Sequence, residues 1–406
     1  MVTYPKDWDE SKLLDHVSLV QGLTYTPENV IPTGTLVLRS SNIQNGRLSL
    51  DDNVYVNAYV PEEKMVAQGD ILVCVRNGSS ALIGKSCVLP ELKYTTFGAF
   101  MSVLRGDTTG YFAKLFESNI VQEQVRGRSN ATINQITKKD FQSIQVTVPD
   151  KPEQEEIART LSQFDPYIDD LAELLEKKRG IRDGALEDLI SGRTRLEGFE
   201  KTWSEKKLRD LCTLITKQTG FDYSNEIKAS LMEYRTTNSL PFIQNKDFEG
   251  FTINFQTDFY IPCDIAIKYP KIVLDEECLL ISISGRIGNV AVFNNKETAF
   301  AGGAVGVAKL IDPALATWCM LYISSSLGQE QIFANEKVGA QHNLTVEDVR
   351  NLIIKLPKSE EREAIVATIK SMDEEIEALE IERDKMIQIR EGAMDDLLTG
   401  RVRLSV

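Results

Sequence analysis

The chain has 406 residues, of which 42% are hydrophobic and 26% charged, and its formal net charge is −14. That length allows two or three domains with real cores, and the composition is that of an ordinary globular protein, not a disordered or disulfide-stapled one. The first residues are polar and no apolar run reaches the roughly 18 residues of a membrane helix, so we expect a cytoplasmic protein without signal or anchor.

Cysteines and histidines are too dispersed to predict a metal site. A zinc site needs clustered soft ligands, and the chain has no Cys-x-x-Cys and only His16 and His342. We therefore expect reduced thiols and no bound metal. The cysteines are Cys74, Cys87, Cys212, Cys263, Cys278 and Cys319.

The negative charge is concentrated in two segments. Residues 151–190 carry a net charge of −5 and residues 358–398 carry −7. The rest of the chain is close to neutral, which leaves room for local basic surfaces there. We expect the two acidic segments to avoid a phosphate backbone.

Residues 1–150 are predicted to form a first β-rich globular domain. Short β-type runs at 34–38, 71–75 and 102–104 lie between turn signals. A helix is expected at 111–125, followed by a polar loop that contains glycine.

Residues 151–191 are predicted to form a long amphipathic helix. Pro152 is acceptable in its opening turn, and Gly192 stands where a C-terminal glycine stop is expected. The apolar positions alternate between spacings of four and three, which is the repeat of a coiled-coil seam. These seam positions are Ile157, Leu161, Phe164, Ile168, Leu171 and Leu175.

Residues 192–357, including a linker at 192–200, are predicted to form a second globular domain on the same frame. Its β-type runs lie at 251–255, 279–283 and 305–310, and its helix at 316–333. Four local motifs repeat those of the first domain at offsets that drift between 195 and 208. A shared frame with different loop lengths indicates one fold with two specificities. The matches are Lys6-Asp7-Trp8 with Lys201-Thr202-Trp203, Arg39–Ile43 with Gln244–Phe248, Gly69–Val75 with Glu277–Ile283, and Ile83-Gly84-Lys85 with Ile287-Gly288-Asn289.

Residues 358–399 are predicted to form a second long helix, before a C-terminal tail at 400–406. One such helix cannot bury its apolar stripe alone, so two of matching length should pair as an antiparallel coiled coil about 55 Å long. The alternative is that each helix packs on its own domain. The seam positions of the second helix are Ile365, Ile369, Met372, Ile376 and Leu379.

The strongest repeat joins the end of each domain to its helix. Residues 135–196 and 343–404 align without a gap at an offset of 208, with 21 of 62 positions identical. The repeat is too long for a solenoid, whose periods are roughly 20–50 residues. The fold class predicted is therefore α+β with a pseudo-twofold internal repeat. Both copies end in Gly-Arg-x-Arg-Leu, at 192–196 and 400–404, whose arginines are expected to serve the helix ends.

A search for catalytic motifs finds none. The chain lacks a Gly-x-x-x-x-Gly-Lys-Ser/Thr phosphate loop and an Asp/Asn-Pro-Pro-aromatic tetrapeptide. The glycine-rich stretches at 285–288 and 301–304 do not match a dinucleotide fingerprint. Pro149-Asp150 with Glu153 fits a helix entrance better than a nuclease carboxylate set. We expect a protein that is not an enzyme.

The order of motifs, present twice, carries a family resemblance. Each half has Trp-x4-Leu, a β-type run, an Ile-Gly-Lys/Asn turn, and a proline before a long helix that ends in Ser/Thr-Gly-Arg. This order resembles the DNA specificity subunit of type I restriction–modification systems over essentially the whole chain. Two positions depart from it: Gln154 at the first helix opening is matched by Arg362, and Gly69-Asp70 by Glu277-Cys278.

The resemblance implies a division of labour. Each globular half would be a target recognition domain that reads one part of an asymmetric, bipartite site in double-stranded DNA. The helices would set the spacing and dock two methyltransferase (modification) subunits, with restriction/translocase subunits joining them. S-adenosylmethionine, ATP and Mg would then belong only to the partners, and this chain would need no cofactor. A coiled-coil adaptor whose domains bind other proteins is the alternative.

Candidate DNA contacts are polar and basic residues of the loops, since these types reach base edges and phosphates. The segment Arg126-Gly127-Arg128-Ser129-Asn130 is the best cluster, being basic and free of nearby acids. For any single residue, an ordinary solvated side chain is an equally good interpretation. The candidates are Arg39, Ser40, Asn42, Arg76, Asn77, Lys85, Arg126, Arg128 and Asn130 in the first domain, and Gln244, Lys246, Arg286, Asn289, Lys337 and Gln341 in the second.

Overall fold

The computed structural model describes residues 4–128, 134–294, 296–334 and 343–404. The chain is mixed α and β and divides into two compact units. Unit 1 comprises Met1–Leu174 with Leu379–Val406, and unit 2 comprises Leu175–Ala378. Both divisions fall inside the long helices, whereas the sequence prediction treated each long helix as a segment of its own, at 151–191 and 358–399.

Unit 1 is built on two four-stranded sheets, ordered β10-β4-β7-β3 and β2-β11-β8-β9. Strand β10 is parallel to β4, and β1 pairs with β12 in antiparallel fashion. The strands are β1 (Asp9–Lys12), β2 (Ser18–Gln21), β3 (Val30–Ile31), β4 (Thr35–Leu38), β5 (Ile43–Gln44), β6 (Arg47–Leu48), β7 (Val54–Val56), β8 (Ile71–Cys74), β9 (Ser86–Val88), β10 (Thr95–Phe97), β11 (Met101–Arg105) and β12 (Gln145–Val148).

The helices that begin in unit 1 are more interrupted than predicted. The expected helix at 111–125 is two helices separated at Ser118, and the expected helix at 151–191 is interrupted at Gln163. The Asp150 carboxylate caps the helix that begins at Lys151, because it accepts a hydrogen bond from the Glu153 amide at 3.1 Å. The helices are α1 (Tyr111–Glu117), α2 (Asn119–Arg128), α3 (Lys138–Phe141), α4 (Lys151–Ser162) and α5 (Phe164–Ser191), of which α5 continues into unit 2.

Unit 2 has four-stranded sheets ordered β18-β15-β22-β19 and β14-β23-β20-β21. Its strands are β13 (Ser204–Lys207), β14 (Cys212–Lys217), β15 (Ser239–Ile243), β16 (Phe248–Glu249), β17 (Thr252–Ile253), β18 (Tyr260–Pro262), β19 (Val273–Leu274), β20 (Cys278–Ser282), β21 (Val290–Phe293), β22 (Ala299–Ala301), β23 (Val305–Leu310) and β24 (Ile353–Leu356). Its helices are α6 (Gly220–Asp222), α7 (Lys228–Ser230), α8 (Cys263–Ala266), α9 (Ala316–Ser324), α10 (Ser326–Ala334), α11 (Val346–Arg350) and α12 (Ser359–Leu398), with a π-helical turn at Tyr223–Ile227 and with α12 ending in unit 1.

The two units share most of their strand order and differ in an edge strand of one sheet. The sheet β2-β11-β8-β9 corresponds to β14-β23-β20-β21, and the pair β1-β12 to β13-β24. In the other sheet the fourth strand differs, because β3 extends the sheet beside β7 whereas β19 extends it beside β22. Unit 2 also carries the helical segment at 220–230 directly after β14. The shared frame accounts for the repeated motifs, and the edges account for the drifting offset.

The ends of the long helices belong to the cores of the units. Ile157 and Leu161 are buried with Phe116 and Phe141 in unit 1. Ile365 and Ile369 are likewise buried in unit 2 in the cluster that contains Trp318. Each cluster also contains residues of the other long helix, namely Met394, Leu397 and Leu398 in unit 1 and Leu186, Leu189 and Ile190 in unit 2. These four seam positions thus face a globular core as well as the other helix, and the coiled-coil seam stays a prediction there. Of the remaining seam positions, Leu171 and Leu175 are buried, and Phe164, Ile168, Met372, Ile376 and Leu379 are half-buried.

Farther from the cores, the long helices bind each other within each unit through ion pairs and a tyrosine hydrogen bond. In unit 1, Arg390 of α12 donates to Asp165 of α5 at 2.9 Å, and Tyr167 bonds Glu382. In unit 2, Arg182 donates to Asp373 at 2.7 Å and Lys178 to Glu375 at 2.6 Å. In each unit, the later of the two α5 residues contacts the earlier of the two α12 residues.

In each unit, the second arginine of the Gly-Arg-x-Arg signature binds a buried glutamate. In unit 2, Glu361 accepts from Arg195 Nη2 at 2.8 Å and from Trp203 Nε1 at 3.0 Å. In unit 1, Glu153 accepts from Arg403 Nη2 at 2.8 Å and from Trp8 Nε1 at 3.3 Å. Each guanidinium also lies over its tryptophan ring, with 5.3 Å between Arg195 and the Trp203 centroid.

The first arginine of each signature stays at the surface. Arg193 pairs with Asp188, and Arg401 pairs with Asp395 and Asp396. The partner acids lie near the ends of α5 and α12, and the helix-end role expected of these arginines stays a prediction. The hydrogen bonds that Arg403 donates to Glu153 and Asp7 raise the pKa of its guanidinium, and the bond to Asp7 lowers the pKa of that carboxyl.

The cysteines are free thiols, and four of the six are buried. Burial raises the pKa of the Cys87, Cys212, Cys278 and Cys319 thiols to about 12. Such thiols stay protonated near neutral pH and are poor nucleophiles and poor metal ligands. Among the residues described, none of the helices is both long and apolar enough to span a bilayer.

Candidate nucleic-acid interface

Three loops of unit 1 meet at one surface. Residues 39–41 follow β4, residues 76–79 follow β8, and residues 134–135 precede α3. Asn77 Nδ2 donates to Ser40 Oγ at 3.0 Å, and the Asn77 amide donates to the Asn134 carbonyl at 3.2 Å. Arg76 and Gln135 form an isolated β-bridge. We call this the three-loop surface of unit 1.

Unit 2 builds the corresponding surface from residues 244–246, 284–286 and 343. Asn245 Nδ2 donates to the Ser284 carbonyl at 2.5 Å. Ser284 and Asn343 form an isolated β-bridge at the same offset of 208 from the bridge in unit 1. The backbone frame of the surface is therefore repeated, while the side chains on it differ.

A turn and a glutamine fix the base of each surface. Gly84 in unit 1 and Gly288 in unit 2 have φ values of +83° and +86°. Gln122 of α2 donates to the Gly84 carbonyl at 3.2 Å, and Gln329 of α10 to the Gly288 carbonyl at 2.9 Å. These are the Ile-Gly-Lys/Asn turns of the sequence analysis, and glycine is required because φ is positive.

The side chains of the surfaces suit nucleic acid. In unit 1, the Arg76 guanidinium lies 5.1 Å from the centroid of Phe100, whose side chain is 57% exposed. An exposed aromatic ring with an arginine over it offers a stacking face and a cation together. In unit 2 the surface presents Gln244, Lys246 and Arg286, all types that bind base edges or phosphates.

The structure brings together seven of the predicted contacts. They are Arg39, Ser40, Arg76 and Asn77 on the surface of unit 1, and Gln244, Lys246 and Arg286 on that of unit 2. Two of them already have acidic partners, because Arg39 pairs with Asp52 at 2.7 Å and Lys246 pairs with Asp258. Lys85 and Asn289 lie instead in the turns at the base of the surfaces.

Asn42 is a structural residue, which corrects its prediction as a DNA contact. Its side chain is fully buried. Its Oδ1 accepts from the Arg39 amide at 2.9 Å, and its Nδ2 donates to the Ser49 carbonyl at 3.0 Å. Asp247 occupies the same place in unit 2, where it accepts from the Gln244 amide at 2.7 Å.

The basic cluster at 126–130 begins in a helix, where a loop was predicted. Residues 126–128 form the last turn of α2. Arg128 donates to Ser143 Oγ at 2.8 Å and to the Gln124 carbonyl at 2.8 Å, so its side chain holds α2 to the segment before β12. Arg126 is exposed. Asn130, Lys337 and Gln341 lie outside the described residues.

Sequence reasoning missed several residues that the fold brings to the surfaces. Ser41, Asn134 and Gln135 complete the surface of unit 1, and Asn245 and Ser284 that of unit 2. Asn245 could have been found, because it stands between two predicted contacts in the aligned turn. Asn134 and Gln135 could not, since no local pattern marks which loops converge. The described residues also contain no group of three or more His, Cys, Asp or Glu placed to hold a metal ion.

Comparison with known proteins defines the class. The model of the type I restriction modification DNA specificity domain matches residues 5–178 and again 200–387. The chain therefore belongs to the type I restriction modification DNA specificity domain family, with two copies of that domain. The two copies begin at the two tryptophan motifs and each extends into a long helix.

Individual relatives agree with the family. The chain is 27% identical over 244 residues to the StySPI specificity subunit of Salmonella potsdam, covering 55% of this chain and 52% of that protein. It is 29% identical over 174 residues to the EcoKI specificity subunit of Escherichia coli K12, covering 41% of this chain and 38% of that protein. The chain thus spans about half or less of these relatives.

The fold is shared with a solved chain from a structure of a type I R-M system. That chain superposes with a TM-score of 0.62 at 16% identity, over 99% of this chain and 100% of its own length. At this identity the likeness concerns the fold alone.

Proposed function

We propose that this chain is the DNA specificity subunit of a type I restriction–modification complex. Each unit reads one part of an asymmetric bipartite site in double-stranded DNA through its three-loop surface. The observation that carries this proposal is the pair of equivalent surfaces, with one backbone frame and different side chains. Two recognition surfaces with the same backbone frame and different side chains suit a DNA site whose two parts differ in sequence.

The long helices act as the spacer in this proposal. They pair as an antiparallel coiled coil along the pseudo-twofold repeat and hold the readers at a fixed separation, so that the half-sites lie about one helical turn of DNA apart. The opposite order of the ion pairs on α5 and α12 supports this arrangement. The helices carry most of the net negative charge, which favours contact with protein partners over contact with phosphates.

Catalysis belongs to the partners in this proposal. Two methyltransferase subunits dock on the helices and use S-adenosylmethionine, and restriction/translocase subunits use ATP and Mg. This chain contributes recognition and assembly in the cytoplasm and carries no cofactor of its own. The raised thiol pKa values and the scattered histidines support a role without chemistry at this chain.

The proposal is tested by mapping the methylated bases of a whole genome. The chain is expressed with its methyltransferase subunits in a host that lacks other DNA methylation, and modified bases are mapped by sequencing. We expect one bipartite motif with two unlike parts. Exchanging residues 39–41 and 76–79 for those of another family member should alter one part and leave the other intact. A purified complex that protects no bipartite sequence from footprinting would overturn the proposal in favour of a protein-binding adaptor.

A further inference from the structure

Buried polar atoms without a hydrogen-bond partner are concentrated at the three-loop surfaces and directly behind them. Among the described residues there are seven such side-chain atoms. Two lie elsewhere, on Tyr111 and Arg362. The other five are Arg39 Nε and Ser41 Oγ in unit 1, and Asn245 Oδ1, Gln218 Oε1 and Gln218 Nε2 in unit 2. Since buried polar groups are nearly always bonded, a concentration of exceptions marks a surface that a ligand completes.

Gln218 is the most unusual of these residues. Its side chain is 3% exposed, yet neither atom of its carboxamide has a partner. Leaving both ends of a buried amide unbonded lowers stability, and an apolar side chain of similar shape would avoid that loss. A residue that destabilises the free protein is expected at a binding site, where the ligand supplies the hydrogen bonds that the folded protein lacks.

Gln218 lies directly behind the three-loop surface of unit 2. It follows the last residue of β14, and a Cβ added to the exposed Gly303 would lie 3.0 Å from Gln218 Oε1. Gly302, beside it, donates to the Ile243 carbonyl at 2.8 Å, two residues before Asn245. The next residue of the same loop, Ala304, accepts from Ile283 at 2.9 Å, adjacent to Ser284. Only a glycine therefore separates this carboxamide from the surface.

We propose that Gln218 is a specificity-determining residue of unit 2 and that the edge of an adenine supplies its two missing hydrogen bonds. Adenine presents an N6 donor beside an N7 acceptor in the major groove, which matches the carbonyl and amide ends of glutamine. A phosphate offers acceptors only and would leave Oε1 unbonded. Asn245 Oδ1, the other unpartnered acceptor there, receives a donor from a neighbouring base edge.

Unit 1 has no counterpart of this residue. Its β2 is followed by Gly22, where an added Cβ would meet the Gly98 carbonyl oxygen at 2.0 Å, and then by the buried Leu23. The adenine contact is therefore specific to one half-site. This inference rests on the proposed function and names one base-reading contact within it.

The experiment compares Gln218→Met with wild type in the complex with methyltransferase subunits. Half-sites are assigned first, since Arg76→Ala alters only the one read by unit 1. We expect Gln218→Met to relax one adenine position in the other half-site by roughly 10- to 100-fold in affinity. The melting temperature should stay the same or rise, because the unbonded amide is gone. Gln331→Met is the matched control: Gln331 bonds the Ile353 amide and carbonyl, so its loss should lower the melting temperature and leave the motif unchanged.

A second arm needs no variant. Wild-type complex is titrated with duplexes that carry 7-deazaadenine, which lacks the N7 acceptor, at each adenine of the half-site in turn. Affinity should fall several-fold at one position, and Gln218→Met should abolish that difference. If no adenine of this half-site depends on N7, or if Gln218→Met keeps the full motif and affinity, a buried water satisfies Gln218 and the inference is wrong. A wild-type complex without any bipartite motif would instead refute the proposed function.

Discussion

Replacing Arg195 by methionine should destabilise unit 2 far more than replacing Arg193, two residues earlier. Both arginines belong to the Gly-Arg-x-Arg signature, but their environments differ. Arg193 and its partner Asp188 are 67% and 49% exposed, whereas the carboxylate bound by Arg195, Glu361, is 1% exposed. Methionine keeps most of the aliphatic length and removes only the charge and its donors.

The magnitude follows from which charge is left behind. Removing one partner of a buried ion pair costs about 3–5 kcal/mol, because the other charge stays buried and unpaired. Trp203 still donates to Glu361, so we expect about 3 kcal/mol for Arg195→Met. Glu361→Gln should cost about 1–2 kcal/mol, because the remaining Arg195 is 28% exposed and can be hydrated. An exposed pair contributes about 0–1 kcal/mol, which bounds Arg193→Met.

The assay is urea unfolding combined with hydrogen exchange read by mass spectrometry. Exchange localises the loss to a unit, which a single unfolding curve of a two-unit chain cannot do. Amides of β14 and β23 should exchange faster in Arg195→Met, while those of β2 and β11 should not. The double variant Arg195→Met/Glu361→Gln should cost less than the sum of the single variants.

One result would refute this reasoning. If Arg195→Met and Arg193→Met lower stability equally, the buried glutamate does not depend on its guanidinium and the tryptophan bond suffices. Arg403→Met in unit 1 gives an independent check, because Arg403 is 42% exposed but its partner Glu153 is only 5% exposed. Its effect should appear in β2 and β11 instead.

Three further predictions concern the frame and the spacer. Asp247→Asn should be stabilising near neutral pH: burial raises the pKa of Asp247, so wild type loses stability as pH rises through that pKa, and asparagine already serves at Asn42. Gly288→Ala should cost about 1–3 kcal/mol in thermal unfolding, since φ is +86° and the new Cβ would lie 2.8 Å from Gln329 Oε1. One helical turn inserted into both α5 and α12 should lengthen the tolerated gap between half-sites in the methylome.

Each of these has a result that would contradict it. The stability gain of Asp247→Asn should shrink as pH falls below the raised pKa of Asp247, and a gain that does not change with pH would exclude the charge as its cause. Gly184→Ala is the control for the turn, because its Cβ would meet nothing within 4 Å, so a helix-propensity gain of about 0.5–1 kcal/mol is expected. An unchanged gap after insertion would exclude the spacer as a molecular ruler.

Features with a local physical signature were predictable from the sequence. The heptad spacing located both long helices to within a few residues, and Gly192 and Gly400 end them at φ values of +75° and +69°. The turns at Gly84 and Gly288 were also visible as repeated motifs. Each of these depends on a periodicity or on a backbone angle that few residues adopt.

Features that depend on convergence in space were not predictable. The heptad spacing did not indicate that Ile157 and Ile365 face a globular core, because an apolar stripe does not show which element it packs against. Residues 39–41 meet residues 76–79 although β4 and β8 belong to different sheets, which pack together in one core cluster. Gln218 stands in no motif, and its significance comes from the bonds it lacks. The Arg39-x-x-Asn42 and Gln244-x-x-Asp247 spacing was a missed signal, since such a spacing is typical of a capped turn.

The division of the chain inside its long helices has a consequence for biosynthesis. Unit 2 is continuous, whereas unit 1 needs Leu379–Val406 to complete its core and to supply Arg403 to Glu153. On the ribosome, residues 1–174 emerge first but must wait for the last segment, while unit 2 can close as soon as residue 378 emerges. The order of completion is thus the reverse of the order of synthesis. Until the last turns of α12 are made, Glu153 of unit 1 lacks the guanidinium that binds it in the finished chain.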